Sequence, residues 1–124
     1  MTARRDPLPR LGDVVRAAGR AADILEYGRE AVESDWKLSD LLIHELEIVG
    51  EAFAAIPAEV RNRYPEVAWA GPIRMRNRLA HGYFDVALDR VWTAAERDLP
   101  VLKAQVERVI ADIEAESGTR ESSL

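Results

Sequence analysis

Apolar side chains recur every three or four residues along nearly the whole chain, and no stretch alternates apolar with polar as a half-buried strand would. A chain patterned this way buries its apolar surface by packing helix on helix. One stripe runs from about Leu11 to Ser34 through Val14, Val15, Ala18, Ala21, Ala22, Leu25 and Val32. A second, from about Trp36 to Ile56, steps through Leu38, Leu42, Leu46, Val49 and Phe53 until Pro57 stops it. Gly50 lies inside this helix, where glycine costs about 1 kcal/mol relative to alanine, so close approach of a neighbouring helix is expected there.

Three prolines and a glycine between Pro57 and Pro72 predict a short helical turn from Ala58 to Arg63, then an irregular connection through Trp69 and Gly71. Pro72 suits the first turn of a third, short helix ending at His81, with Gly82 as a left-handed cap. A last helical region begins near Asp89, an N-cap residue, and passes Val91, Trp92, Ala95 and Leu99. It restarts at Pro100 with Asp98 as cap, and its stripe ends near Glu116. The expected fold is an all-α antiparallel bundle of four main helices, the last one broken near Pro100. Residues 11–116 form one domain, preceded by a flexible arm over 1–10 and followed by a disordered tail over 117–124.

The absence of cysteine removes disulfides, thiolate metal sites and a cysteine nucleophile, and two histidines leave little for a histidine-rich metal cage. No metal or other cofactor is expected. No apolar run approaches the length of a bilayer crossing, and the polar, arginine-containing start has no apolar core of a signal peptide. A cytoplasmic protein is expected. The net charge of -5 argues against a broad grip on nucleic acid. Only Lys37 and Lys103 are lysines among 17 basic residues, however, so the positive charge resides almost wholly in arginine, which forks onto phosphate oxygens.

That charge is unevenly placed. Ile73 to Phe84 reads I-R-M-R-N-R-L-A-H-G-Y-F, three arginines and no acid, a +3 island in a chain whose remainder sums to -8. On a helix, Arg74, Asn77, Arg78 and His81 share one face, with Arg76, Leu79, Ala80 and Tyr83 on the adjoining one. Arg76 and His81 stand about 140° apart, so one ligand meets both only across the helix end. Histidine can move a proton near neutral pH, and arginine can stabilise an oxyanion, a pairing suited to a phosphodiester. With RNA, the 2′-hydroxyl is a built-in nucleophile. One histidine cannot act as base and acid at once, so a two-fold dimer joining two copies of this helix is expected. The bland alternative is a solvated arginine face, with a histidine that merely caps carbonyls.

The spacing arginine, four residues, histidine, one residue, tyrosine over Arg76 to Tyr83 resembles the signature of the HEPN superfamily, and specifically HepT-type ribonuclease toxins of prokaryotic toxin-antitoxin pairs. L-E-I-V-G-E-A from Leu46 to Ala52, R-Y-P-E-V-A-W from Arg63 to Trp69, and Trp92 followed by D-L-P-V-L from Asp98 agree, so the resemblance spans residues 11 to 113. It implies a homodimeric, metal-independent endoribonuclease with Arg76 and His81 catalytic at a composite dimer cleft and Asn77 as a supporting polar residue. It also implies a nucleotidyltransferase antitoxin that attaches AMP to Tyr83. A role for Arg74 and Arg78 in RNA contact follows from their charge and helical phase alone.

His44, among Leu41, Leu42 and Ile43, matches no position of the signature, and a structural or interface role is expected for it. Glu47 and Glu51 share a helix face and could orient an arginine of the motif helix or simply face solvent. Two readings of another class stay open: a non-catalytic HEPN module that binds and regulates a nucleotidyltransferase or nucleotide, and a plain helical scaffold.

Overall fold

The computed structural model describes residues 6–81 and 88–122, with side chains as far as residue 118. It is all helical over these residues: α1 Leu8–Leu25, α2 Arg29–Ser34, α3 Trp36–Ala55, α4 Ala58–Arg63, α5 Ala70–Ala80, α6 Leu88–Thr93 and α7 Leu99–Ser122. The expected all-α bundle is therefore the fold, with α1, α3, α5 and the α6–α7 unit as its main members. α3 packs against both α1 and α5, and α1 also packs on α7. The shared core is built from Leu11, Val14 and Ala21 of α1, Leu42, Val49 and Phe53 of α3, and Val91, Leu99, Val106 and Val109 of the last region.

Several boundaries differ from the sequence reading. The stripe from Leu11 to Ser34 is two helices, because Gly28 takes φ 92 between α1 and α2, a left-handed conformation that side-chain-bearing residues rarely adopt. Val32 stays buried across the break because Ser39 Oγ donates to its carbonyl at 2.6 Å and ties α2 to α3. α1 starts at Leu8, inside the expected arm, with Asp6 accepting the Leu8 N–H at 3.0 Å. α5 starts two residues earlier than expected, and Pro72 still falls in its first turn, where an N–H is not required. α6 begins at Leu88, so Asp89 sits in its first turn, where its charge favours the helix N-terminus. α7 continues through Ser122, past the expected stop near Glu116.

The interruption expected near Pro100 takes the form of a π-helical turn, Ala94–Asp98, rather than a break with a new cap. Leu99 donates its N–H five residues back to the Ala94 carbonyl. In a regular α-helix the Pro100 ring would collide with the carbonyl of Glu96. The wider turn relieves that collision and lets the helix continue, and Asp98 lies inside the turn instead of capping a restart.

The start of α5 is fixed by aromatic side chains. Trp69, directly before α5, lies against Phe53 of α3 with ring centroids 4.8 Å apart, and its Nε1 donates to the Tyr64 carbonyl at 3.0 Å. The Tyr64 hydroxyl in turn donates to Asp112 of α7. Burial first, and then this bond, push the Tyr64 phenol from 10.0 up to about 12. The folded state thus favours the protonated phenol; the resulting stability is complete below pH 10.0 and is lost as pH rises through about 12. Tyr64→Phe should flatten the decline in unfolding free energy across that window, and an equally steep decline in the variant would contradict this.

Gly50 is where α3 and α5 meet. A Cβ there would lie 2.3 Å from Arg76 Cβ and 2.6 Å from the Pro72 carbonyl oxygen, so the close approach expected from the sequence is present and admits no side chain. Gly50→Ala should cost about 1 to 3 kcal/mol by forcing the helices apart. An unchanged urea midpoint would show that the seam yields freely.

Candidate active site

Because Phe53 pairs with Trp69 while Gly50, three residues earlier, meets Pro72 and Arg76, α3 and α5 run antiparallel. Gly50 and Arg76 mark the line of contact. Val49 and Met75, each one residue before that line on its own helix, both line one cleft. Rotation in the same sense about each helix therefore leads to the same side of the seam. The cleft, about 320 Å³, is walled by Leu46, Val49, Pro72, Met75 and Leu102, with Arg97 at its edge. Neither Arg76 nor His81 lines it, so the motif chemistry lies outside this cleft.

The motif sits on the open surface of α5. Among its residues 70–80 none is fully buried; Arg74, Asn77 and Arg78 are exposed, while Arg76 is half-buried with its Cβ and Cγ against Gly50. The Arg76 Nε is buried with no hydrogen-bond partner among the described residues. No carboxylate among the described residues lies within ion-pair distance of Arg74, Arg76 or Arg78. Three guanidiniums without an ion pair among the described residues, on a helix ending at Ala80, offset the partial negative charge of its last carbonyls and make this surface positive. Glu47 and Glu51 form no ion pair with α5; Glu47 is half-buried and Glu51 exposed.

His81 closes α5 as its C-cap, exposed, with Nδ1 2.6 Å from the Asn77 carbonyl oxygen. A carbonyl can only accept, so Nδ1 carries the proton, and the neutral ring presents Nε2 as the free base. The capping role and the chemical role are thus compatible, because capping consumes one nitrogen and orients the other. Tyr83 lies outside the described residues, as does Gly82. Among the described residues, no cluster of three or more histidine or acidic side chains is arranged to hold a metal. No described helix is long and apolar enough to cross a membrane.

Of the structural or interface role expected for His44, the core part is not met: His44 is exposed on α3 and takes no part in the core. Leu42 and Leu46 face inward, whereas Leu41 is 52% exposed. The spacing Leu42, Leu46, Val49, Phe53 could have shown that position 44 falls off the buried stripe. Sequence reasoning also missed Glu45, which is 5% exposed and accepts from Arg20 Nε at 2.8 and 2.9 Å, joining α3 to α1. An acidic residue next to a histidine on an amphipathic helix carries no local sign of which one turns inward.

Comparison with known proteins identifies the family. The family model described as "Ribonuclease HepT-like" matches residues 15–109. "Putative RNase MJ0127" of Methanocaldococcus jannaschii is 35% identical over 105 residues, covering 76% of this chain and 87% of that protein. "Probable ribonuclease HepT" of Thermococcus cleftensis is 36% identical over 90 residues, covering 69% of this chain and 82% of that protein. Two other relatives are covered over 63% and 43% of their own length. No solved structure matches at a comparable level. The chain belongs to the HepT-like ribonuclease family, a branch of the HEPN proteins.

The hydrogen bond to Asn77 makes a direct prediction. In neutral His81 the Nδ1–H tautomer should predominate, measured from the ring nitrogen shifts by long-range nitrogen-proton NMR. A predominant Nε2–H tautomer would remove Nε2 as the available base.

Proposed function

We propose that this protein is an endoribonuclease toxin that cleaves RNA by attack of the 2′-hydroxyl on the adjacent phosphorus, leaving a 2′,3′-cyclic phosphate. The observation that carries the reading is the arginine surface of α5, which makes no ion pair among the described residues and ends in a histidine whose Nδ1 is engaged by the Asn77 carbonyl, leaving Nε2 as the base. His81 Nε2 takes the proton of the 2′-hydroxyl. Arg76, rooted against Gly50, holds a non-bridging oxygen and stabilises the added charge as phosphorus becomes pentacoordinate. Arg74 and Arg78 contact flanking phosphates, and Asn77 offers an amide beside them. The nucleophile belongs to the RNA and the charge is met by guanidinium, so this route calls for no metal.

Two copies form the working unit in this proposal. A helix with no fully buried residue is poorly covered in a single chain, and Trp36, 70% exposed, and Leu41 leave apolar surface on the neighbouring α3. A two-fold pairing near α5 would cover such surface and present two cationic helices to one strand. The partner that silences the site is a nucleotidyltransferase antitoxin, which attaches AMP to Tyr83. A phosphate placed two residues beyond His81 would compete for the arginines and repel RNA.

The deciding assay is RNA cleavage by purified protein in excess chelator. The parent should cleave, with a rate that falls as salt rises. Arg76→Ala and His81→Ala should each lose about 100-fold or more in kcat/KM while keeping their helical content. Cleavage at the parental rate by both variants would refute the assignment.

A further inference from the structure

The cleft beside the Gly50–Arg76 seam takes no part in the proposed cleavage, yet it is a built cavity. Leu46 and Val49 come to it from α3, Pro72 and Met75 from α5, and Leu99 and Leu102 from α7. At about 320 Å³ it falls within the range of small-molecule sites, about 300 to 1,000 Å³. Its walls are held independently of any occupant. The Gly50 contact fixes α5 against α3, and the bond from Trp69 Nε1 to the Tyr64 carbonyl fixes the connection that leads into α5. Gln105 of α7 lines the cleft and donates its Nε2 to the Glu66 carbonyl at 3.2 Å, which ties α7 to that same connection. Less ordering therefore opposes the binding of a ligand there.

The polar groups of the cleft define what chemistry it accepts. Its charged lining residues are Glu66, Arg97 and Asp98, all exposed and so at its mouth. None of the three makes an ion pair among the described residues. The bond from Gln105 engages the main-chain carbonyl of Glu66 and leaves its carboxylate available. Arg97 and Asp98 belong to the π-helical turn, so the turn that accommodates Pro100 also brings charge to the cleft, and such turns recur at functional sites. Two carboxylates against one guanidinium give the mouth a net charge of -1, and the amide oxygen of Gln105 adds a further acceptor. An apolar interior beneath an acceptor-rich mouth suits a molecule with an apolar body and a cationic donor group. A carboxylate on the same body would face two like charges and one opposite one.

We propose that this cleft is a binding site for a small cationic amphiphile, a primary ammonium carried on an aromatic or branched aliphatic body. The body packs against Val49, Met75 and Leu102, and the ammonium donates to the Glu66 and Asp98 carboxylates at the mouth. The volume suits a single aromatic ring with a short chain. This site stands apart from the ribonuclease reading, because neither Arg76 nor His81 lines the cleft.

Two probes that differ only in the sign of their charge provide the test. Phenethylammonium and 3-phenylpropanoate share one ring and one chain length, and each is titrated at low salt into the methyl-labelled full chain and followed by NMR. The ammonium should shift the methyl signals of Val49, Met75 and Leu102 along saturating curves, with a Kd about ten-fold below that of the carboxylate. The methyl signals of Val14 and Leu41, which do not line the cleft, should stay in place. Glu66→Gln and Asp98→Asn, both at exposed positions, should each weaken the preference and together bring the two probes to within about two-fold of one another. The methyl spectrum of each variant without probe reports that it is folded. Cleft methyls that do not respond, shifts spread equally to Val14 and Leu41, or a carboxylate bound as tightly as the ammonium would each overturn the site. A folded double variant that keeps the parental preference would overturn the assignment of the cationic ligand to Glu66 and Asp98.

Discussion

A missing methyl group sets the geometry on which this protein depends. α5 carries the motif but buries no residue completely, so it has little packing of its own to hold it. Its position comes from the seam with α3, where Gly50 lets the Arg76 side chain and the Pro72 carbonyl come closer than any Cβ would allow. The intrinsic helical cost of that glycine is about 1 kcal/mol, less than the cost of overpacking a close contact. The same contact pins the root of Arg76 and fixes which residues emerge on either side. Stability and site geometry are thus set at a single position.

Two further devices hold the frame around that seam. The chain of contacts from Phe53 through Trp69 and Tyr64 to Asp112 links α3, the start of α5 and α7, so α5 is held at its N-terminal end as well as its middle. The π-helical turn before Pro100 keeps α6 and α7 in one continuous body, so Val91 and Trp92 enter the same core as Leu102 and Val106. Neither device touches the motif. Both limit where α5 can go, which matters because the arginines of α5 make no ion pair among the described residues to order them.

Much of this was legible in the residues. Steps of three and four drew α3 to within one residue, and α4 appeared at its observed limits because Pro57 and Pro65 leave room for little else. Gly50 announced the close approach, since a buried-stripe glycine in a strong helix asks for a neighbour. Gly28 was passed over because Val32 continues the apolar stripe at a helical distance, and periodicity cannot register a turn that leaves the phase of the buried face intact. Arg76 and His81 were singled out by their spacing, and the helical wheel places them about 140° apart, so one ligand meets both only across the helix end. α3 meets the motif at Gly50, against the root of Arg76. Sequence spacing within α5 contains no information about which residue of α3 stands beside it.

Placement of charge is the remaining constraint on how such a molecule meets a polyanion. The net charge of -5 disfavours a polyanion as a whole, but charges more than a Debye length from a given phosphate, about 8 Å at physiological salt, are largely screened. Within that length the remote carboxylates are screened and the arginines of α5 dominate the field, undiminished by any ion pair among the described residues. A surface of this kind gains little from long duplexes, whose phosphates extend into the acidic surroundings. It gains most from a short, flexible single-stranded segment that can bend a few phosphates onto the island. Under the proposed ribonuclease reading, this charge distribution favours local engagement of an accessible strand over a long duplex.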